Sequence, residues 1–218
     1  MKILPAVAKL SCLLALLPIA VVSCKPKEIQ ALLRPADALG VVLARETAKT
    51  VGTRKQVVVI TADARWGPVS TAEETFNATL KKQGISIVAT HASNLGDPMK
   101  LGGVGLKPAD FFDAVEKFPD VGAIVSFAGV PLLRSADVAR LPSHYPPVLA
   151  VATATLGIKP GVPNNRAMVA RMVEANWIQL AIIDGSEQIP EQAGKVDPTQ
   201  ELFAQHFQIL RSPKSNSP

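Results

Sequence analysis

Asp63, Arg65 and Trp66 follow within six residues of an uninterrupted β-branched run, Val57-Val58-Val59-Ile60. Such a run suits a strand buried on both faces. The loop at the carboxyl end of a buried parallel strand is where open α/β sheets hold their ligands. An acid, a guanidinium and a broad aromatic ring in one short loop suit a small polar molecule: two side chains for its polar groups and one face to cover it. Equivalent positions recur after later apolar runs. His91, Ser93 and Asn94 follow the run at 85–90, Ser126 lies at the end of the run at 121–127, and Thr153 and Thr155 follow the run at 148–152. These nine side chains are the expected ligand-binding residues of one shared crest. The competing reading makes them caps and turn residues of a stable fold.

The same residues offer a hydrolytic reading through Ser126, His91 and Asp63, because nucleophilic triads are defined by geometry and not by order. Ser126 lacks the Gly-x-Ser-x-Gly surround that exposes a nucleophile at a strand end. No catalytic residue is assigned on this ground, and an extracytoplasmic hydrolase stays the second alternative. Gly102-Gly103-Val104-Gly105 lacks a preceding strand and a following Lys-Ser/Thr, both of which a phosphate loop requires. The histidines at 91, 144 and 206 are far apart, and none has a second ligand at metal spacing. Neither a metal nor a cofactor is expected. Nucleic acid is not an expected partner either, because the basic residues are spread out, with Arg54-Lys55 and Lys81-Lys82 only as pairs, and aromatics are 5% of the chain.

The elements that must position these side chains alternate between two periodicities. A helix is expected over 35–51, opened by Pro35 and striped by Leu39, Val42 and Leu43. Ser70 and Thr71 each have a glutamate three residues on, Glu73 and Glu74, the pattern of a capping box before a helix that runs to Gly84. Pro108 opens a further helix, with Phe111, Phe112, Val115 and Phe118 on one face. A short helix near 133–139, a helix from Asn164 or Asn165 onward and a strand over 178–183 complete the pattern. Residues 201–210 fit either a last helix or a short edge strand. Short apolar strands alternating with amphipathic helices make an α/β three-layer sandwich. A mainly parallel five-stranded sheet, with helices on both faces of a single domain, is expected.

The amino-terminal 23 residues have a different logic. Lys2 and Lys9 precede thirteen uncharged, largely apolar residues at 10–22, and Ser23-Cys24 ends the run. That is the layout of a secretory signal peptide. Thirteen helical residues reach only about 20 Å across a hydrocarbon core of about 30 Å. Val21-Val22-Ser23-Cys24 resembles the bacterial lipobox, whose cysteine carries the lipid. Cys12 leaves with the leader, so Cys24 has no intramolecular partner in an oxidising compartment. The expected organisation is a signal peptide over 1–23, a lipidated Cys24 with a tether to residue 34, an α/β domain over 35–211 and a disordered tail over 212–218. The expected place is the periplasmic side of a bacterial membrane. Lys25, in place of aspartate, favours the outer membrane by resemblance to enterobacterial sorting. Loss of Lys2 and Lys9 lowers the formal net charge of +5 by two.

From Lys55 to about Thr155 the chain resembles one lobe of a type I periplasmic binding protein. The residues carrying the resemblance are Val57–Ile60, Phe76 with Leu80-Lys-Lys-Gln-Gly-Ile-Ser-Ile-Val, Phe111-Phe-Asp-Ala-Val with Val121-Gly-Ala-Ile-Val, and Pro147-Val-Leu-Ala-Val. Members of that family clamp a ligand between two lobes, and the stretch after Thr155 is short for a second. The resemblance implies a binding or sensory module that takes a small polar ligand or a protein partner, and the lipobox-like Val21–Cys24 adds a membrane tether. The alternative is a structural or assembly lipoprotein that works through a surface, such as a homodimer face, and needs no pocket.

Overall fold

The computed structural model describes residues 27–62, 67–93, 105–154, 165–185 and 197–213. Helix α1 (Lys27–Val51) leads into strand β1 (Gln56–Ala62), then α2 (Gly67–Lys82) and β2 (Ser86–Ser93). Next come α3 (Pro108–Lys117), β3 (Ala123–Ser126), the single turn α4 (Ser135–Val138) and β4 (Val148–Ala152). Helix α5 (Asn165–Glu174), β5 (Leu180–Asp184), α6 (Pro198–His206) and β6 (Phe207–Arg211) complete the order.

The six strands form one sheet in the order β2-β1-β3-β4-β5-β6. All neighbours are parallel except β5 and β6. Successive side chains of a strand point to opposite faces, and two buried clusters follow from that. Val57, Val59, Val125, Leu149 and Ile182 meet α1, α2 and α6 on one face. Val58, Ile60, Ile124, Ala150 and Ala181 meet α3 and α5 on the other. The result is the expected three-layer α/β sandwich. Phe76 of α2 meets Phe127 edge-on, ring centroids 5.3 Å apart, where the first cluster reaches the end of β3.

Three boundaries differ from expectation. First, α1 begins at Lys27 and contains Pro35, so residues 27–34 belong to the helix and not to an extended tether. The segment Lys-Glu-Ile-Gln-Ala-Leu-Leu-Arg consists of good helix formers. One missing hydrogen bond at Pro35 is tolerated where Ala36, Leu39 and Leu43 are fully buried beyond it.

Second, α2 begins at Gly67, so Ser70 lies inside the helix and Glu73 turns inward instead of capping it.

Third, the sheet has six strands, not five. Residues 201–210 are divided between a helix and an edge strand, because α6 stops at His206 and β6 starts at Phe207. Helix α6 delivers the chain to the carboxyl end of β5, where Phe207 pairs with Asp184, so β6 must run antiparallel. Ser212, expected in the tail, is buried and donates to Asn176 Oδ1 at 2.7 Å.

Candidate functional site

Strand order decides where a crevice can open. Both β2 and β3 pair with β1, so the order reverses at β1. The arrangement 2-1-3-4-5 has its switch point between β1 and β3, and ligands of such sheets lie outside the carboxyl ends there. Five of the expected ligand residues, Asp63, Arg65, Trp66, Asn94 and Thr155, lie outside the described residues, as does Cys24. His91, Ser93, Ser126 and Thr153 are described.

At the end of β2, Ser93 is fully buried and donates to Asp110 Oδ2. Pro108 opens α3 there, with φ preset for a first turn, and so brings Asp110 over the strand end. His91, two residues earlier on the same face, has its ring nitrogens 3.9 Å from Asp110 Oδ1 and 3.9 Å from Asp113 Oδ2. At the end of β1, Thr61 faces the opposite layer and donates to Glu73 Oε2 at 2.5 Å. Glu73 is only 8% exposed. At the far side of the crest the Ala154 amide donates to Asp184 Oδ2 at 2.7 Å, beside buried Thr153.

Ser126 is not presented as a nucleophile. Its side chain is buried, donates to the Gly129 carbonyl at 2.7 Å and accepts from the Ala128 amide at 3.2 Å. Ile60 pairs with His91 on one side and with Ser126 on the other. Two strand spacings therefore separate the histidine from the serine, about 10 Å. The structure brings His91 to Asp110 and Asp113, not to Ser126. Glu73, Asp110 and Asp184 were not singled out by sequence as ligand residues. A signal existed for Asp110, two residues after a helix-opening proline that follows a strand. Glu73 looked like a capping residue, and only the position of α2 turns it inward.

The described polar groups of the crest are mostly carboxylates and hydroxyls, bonded to one another or to the backbone. Two grooves flank the sandwich away from the switch point. One of about 520 Å³ runs between α1 and α6, past Arg34, Asp37 and Leu202. Another of about 460 Å³ lies between α3 and α4, where Arg140 stacks over the Phe112 ring at 4.8 Å. Among the described residues, no group of three or more His, Cys, Asp or Glu is placed to hold a metal ion. Also among them, no helix is long and apolar enough to cross a membrane.

No protein-family model matches the chain. No curated protein matches it. Among solved structures it is similar to a periplasmic ribose ABC transporter protein from Conexibacter woesei, with 17% identity, a TM-score of 0.45, and coverage of 68% of this chain and 45% of that one. A glucose-galactose binding protein from Geobacillus stearothermophilus gives 14% identity and a TM-score of 0.47 over 81% of this chain and 60% of that one. A solute-binding protein from Agrobacterium vitis, bound with α-D-tagatopyranose, gives 15% and 0.49 over 84% of this chain and 58% of that one. The chain thus spans about half to three fifths of the length of each of these proteins.

Proposed function

We propose that this chain is a lipid-tethered extracytoplasmic module that binds a small polar ligand outside the carboxyl ends of β1 and β3. The observation that carries the reading is the reversal of strand order at β1, the place where open α/β sheets hold their ligands. Asp63, Arg65 and Trp66 follow β1 in the sequence, and the end of β3 with Ser126 lies beside the end of β1. His91 and Ser93 stand at the end of β2 and Thr153 after β4, with Asn94 and Thr155 close to them in the sequence. In this reading Asp63 and Arg65 take the ligand's polar groups and Trp66 covers its apolar face. Asp110 and Asp113, beside His91, add acceptors, so hydroxyl-rich or ammonium ligands are favoured over anions. Ser126 shapes the turn beneath the ligand and has no catalytic part.

The tether follows from the short leader that stops at Cys24. Two or more acyl chains on that cysteine would hold the domain stably at a membrane.

A thermal-shift screen of the folded protein against neutral polyhydroxy compounds and small amines tests the binding reading. Stabilisation by a member of either class, abolished in Asp63→Ala and Trp66→Ala, is expected. A flat response to both classes from a cooperatively melting sample refutes it. Cys24→Ser should move the protein from the membrane fraction to the soluble one, and an unchanged membrane pool refutes the tether.

A further inference from the structure

Two cationic pairs that are separate in the sequence, Arg54-Lys55 and Lys81-Lys82, share one end of the folded sheet. Lys55 immediately precedes β1, and its carbonyl accepts from the Ser86 amide at 2.9 Å, beside the first residue of β2. Lys81 and Lys82 end α2. The tight turn after them, closed by Gly84 N to Lys81 O at 3.1 Å, leads straight to Ser86. Arg54 is anchored beside the entry to β3 by donating to the Val121 carbonyl at 3.2 Å. Lys49, in the last turn of α1, has a side chain 70% exposed. Arg54, Lys55, Lys81 and Lys82 are exposed as well.

The acids near this pole do not cancel it. Glu46 has its two carboxyl oxygens taken by Lys49 and Arg211. Lys117 is paired with Asp113, while Glu116, Asp120 and Glu174 stand exposed on the β3–β5 side, away from the β1–β2 edge that carries the cations. Neither groove described above is lined by Lys49, Arg54, Lys55, Lys81 or Lys82. The cations are mostly lysines on three separate turns, without a pocket or a forked guanidinium pair to select one phosphate ester.

We propose that this amino-end pole docks on an anionic phospholipid bilayer. Exposed lysines with no pocket suit a flat, uniformly negative surface, which gains from each added cation without fixed geometry. The orientation rests on the tethered reading above. A helix of 25 residues spans about 37 Å. Helix α1 starts three residues after Cys24 and ends at the cationic pole, in the same layer as α2. In this reading the acyl anchor precedes α1 in the sequence and the cations stand at its close. With the acyl chains already holding the domain at the membrane, the basic patch would set its orientation there.

The test uses the full chain purified from membranes and reconstituted into phosphatidylcholine vesicles, with or without one third phosphatidylglycerol. Flotation reads the tether, and acetylation rates at single lysines, read by mass spectrometry, report the pole. On anionic vesicles at low salt, Lys49, Lys55, Lys81 and Lys82 should react several-fold more slowly than on neutral ones. Salt should erase the difference, because the attraction decays over a Debye length of about 10 Å at 0.1 M. Exposed Lys107, at the opposite end of the sheet, should not change. Lys55 has a positive φ of 47°, a conformation that asparagine tolerates. The variant Lys55→Asn/Lys81→Gln/Lys82→Gln should therefore fold and lose the differential protection of Lys49. Equal rates on both vesicles, or protection only by an added acidic protein, would overturn the proposal. Failure to float with neutral vesicles would instead count against the tether.

Discussion

The Ser126 hydroxyl and the Gly129 carbonyl are joined at 2.7 Å, and this bond closes the turn that leaves β3 at the switch point. Gly129 has a φ of 93°, which a side chain would strain. The same hydroxyl accepts from the Ala128 amide, so both of its roles are used inside the turn. Ser126→Ala would leave a buried carbonyl and a buried amide without this partner. A loss of about 1–3 kcal/mol is expected, read by urea unfolding. No esterase activity should exist for the substitution to remove; turnover of a simple ester by the unmodified protein, lost in Ser126→Ala, would reverse this assignment.

Glu46 and Arg211 meet at 2.5 Å across 165 positions and tie α1 to the end of β6. Burial pushes the Glu46 carboxyl upward, but hydrogen bonds and charge from Arg211 and Lys49 outweigh it and hold the carboxyl below its ordinary range. A carboxyl lowered in the folded state stabilises the fold above its unfolded pKa. That contribution fades as pH falls through the folded value. Arg211→Met should therefore cost about 1–2 kcal/mol at neutral pH, after allowing for screening of the part-exposed guanidinium. It should also lose less stability than the unmodified protein on acidification below about pH 4.5. Denaturant melts across that window measure both effects, and parallel pH profiles for the two proteins would show that the pair is not responsible.

Gly40 is where α1 crosses α2. A Cβ placed there would lie 2.4 Å from the Ala72 carbonyl and 3.0 Å from the Phe76 amide. In an exposed helix, alanine in place of glycine gains about 1 kcal/mol. Here the obstacle is backbone, which cannot swing aside, so Gly40→Ala should instead lose about 1–3 kcal/mol. The sign of the change in Tm decides the matter.

The Ser93–Asp110 bond fastens the end of β2 to the first turn of α3. Asp110→Ala leaves the buried Ser93 hydroxyl without that acceptor and should cost about 1–2 kcal/mol. Asp110→Asn keeps an acceptor oxygen and should recover most of the loss. Equal destabilisation by the two substitutions would mean that the charge, held near His91, matters more than the hydrogen bond.

Asp197 is held below the usual carboxylate range, first by the hydrogen bond from Arg45 and then by the Thr199 amide that it caps. Asp197→Ala should fray the first turn of α6, seen as faster amide exchange at Thr199 and Gln200. Unchanged exchange would show that Pro198 and packing suffice to start the helix.

Local sequence carried the outline because its signals are local. The β-branched run at Val57–Ile60 can be buried on both faces only as a central strand, and Pro108 before Phe111, Phe112 and Val115 can open only an inward-facing helix. Alternation of such segments specifies an α/β sandwich before any contact is known. Of the side chains expected at the strand ends, His91, Ser93, Ser126 and Thr153 stand where strand direction puts them. The lobe resemblance read from residues 55–155 has the same source, a rhythm of apolar runs.

What that rhythm could not express is which strands become neighbours and which helix face turns inward. Whether Glu73 caps a helix or reaches Thr61 depends on where α2 starts. Whether Ser126 serves chemistry or a turn depends on Gly129 folding back over it. Arg54-Lys55 and Lys81-Lys82 become one pole only because β1 and β2 are paired, and Glu46 finds Arg211 only because β6 returns along β5. Each of these relations joins residues distant in the chain. They are set by packing and pairing energies that no window of neighbouring residues contains.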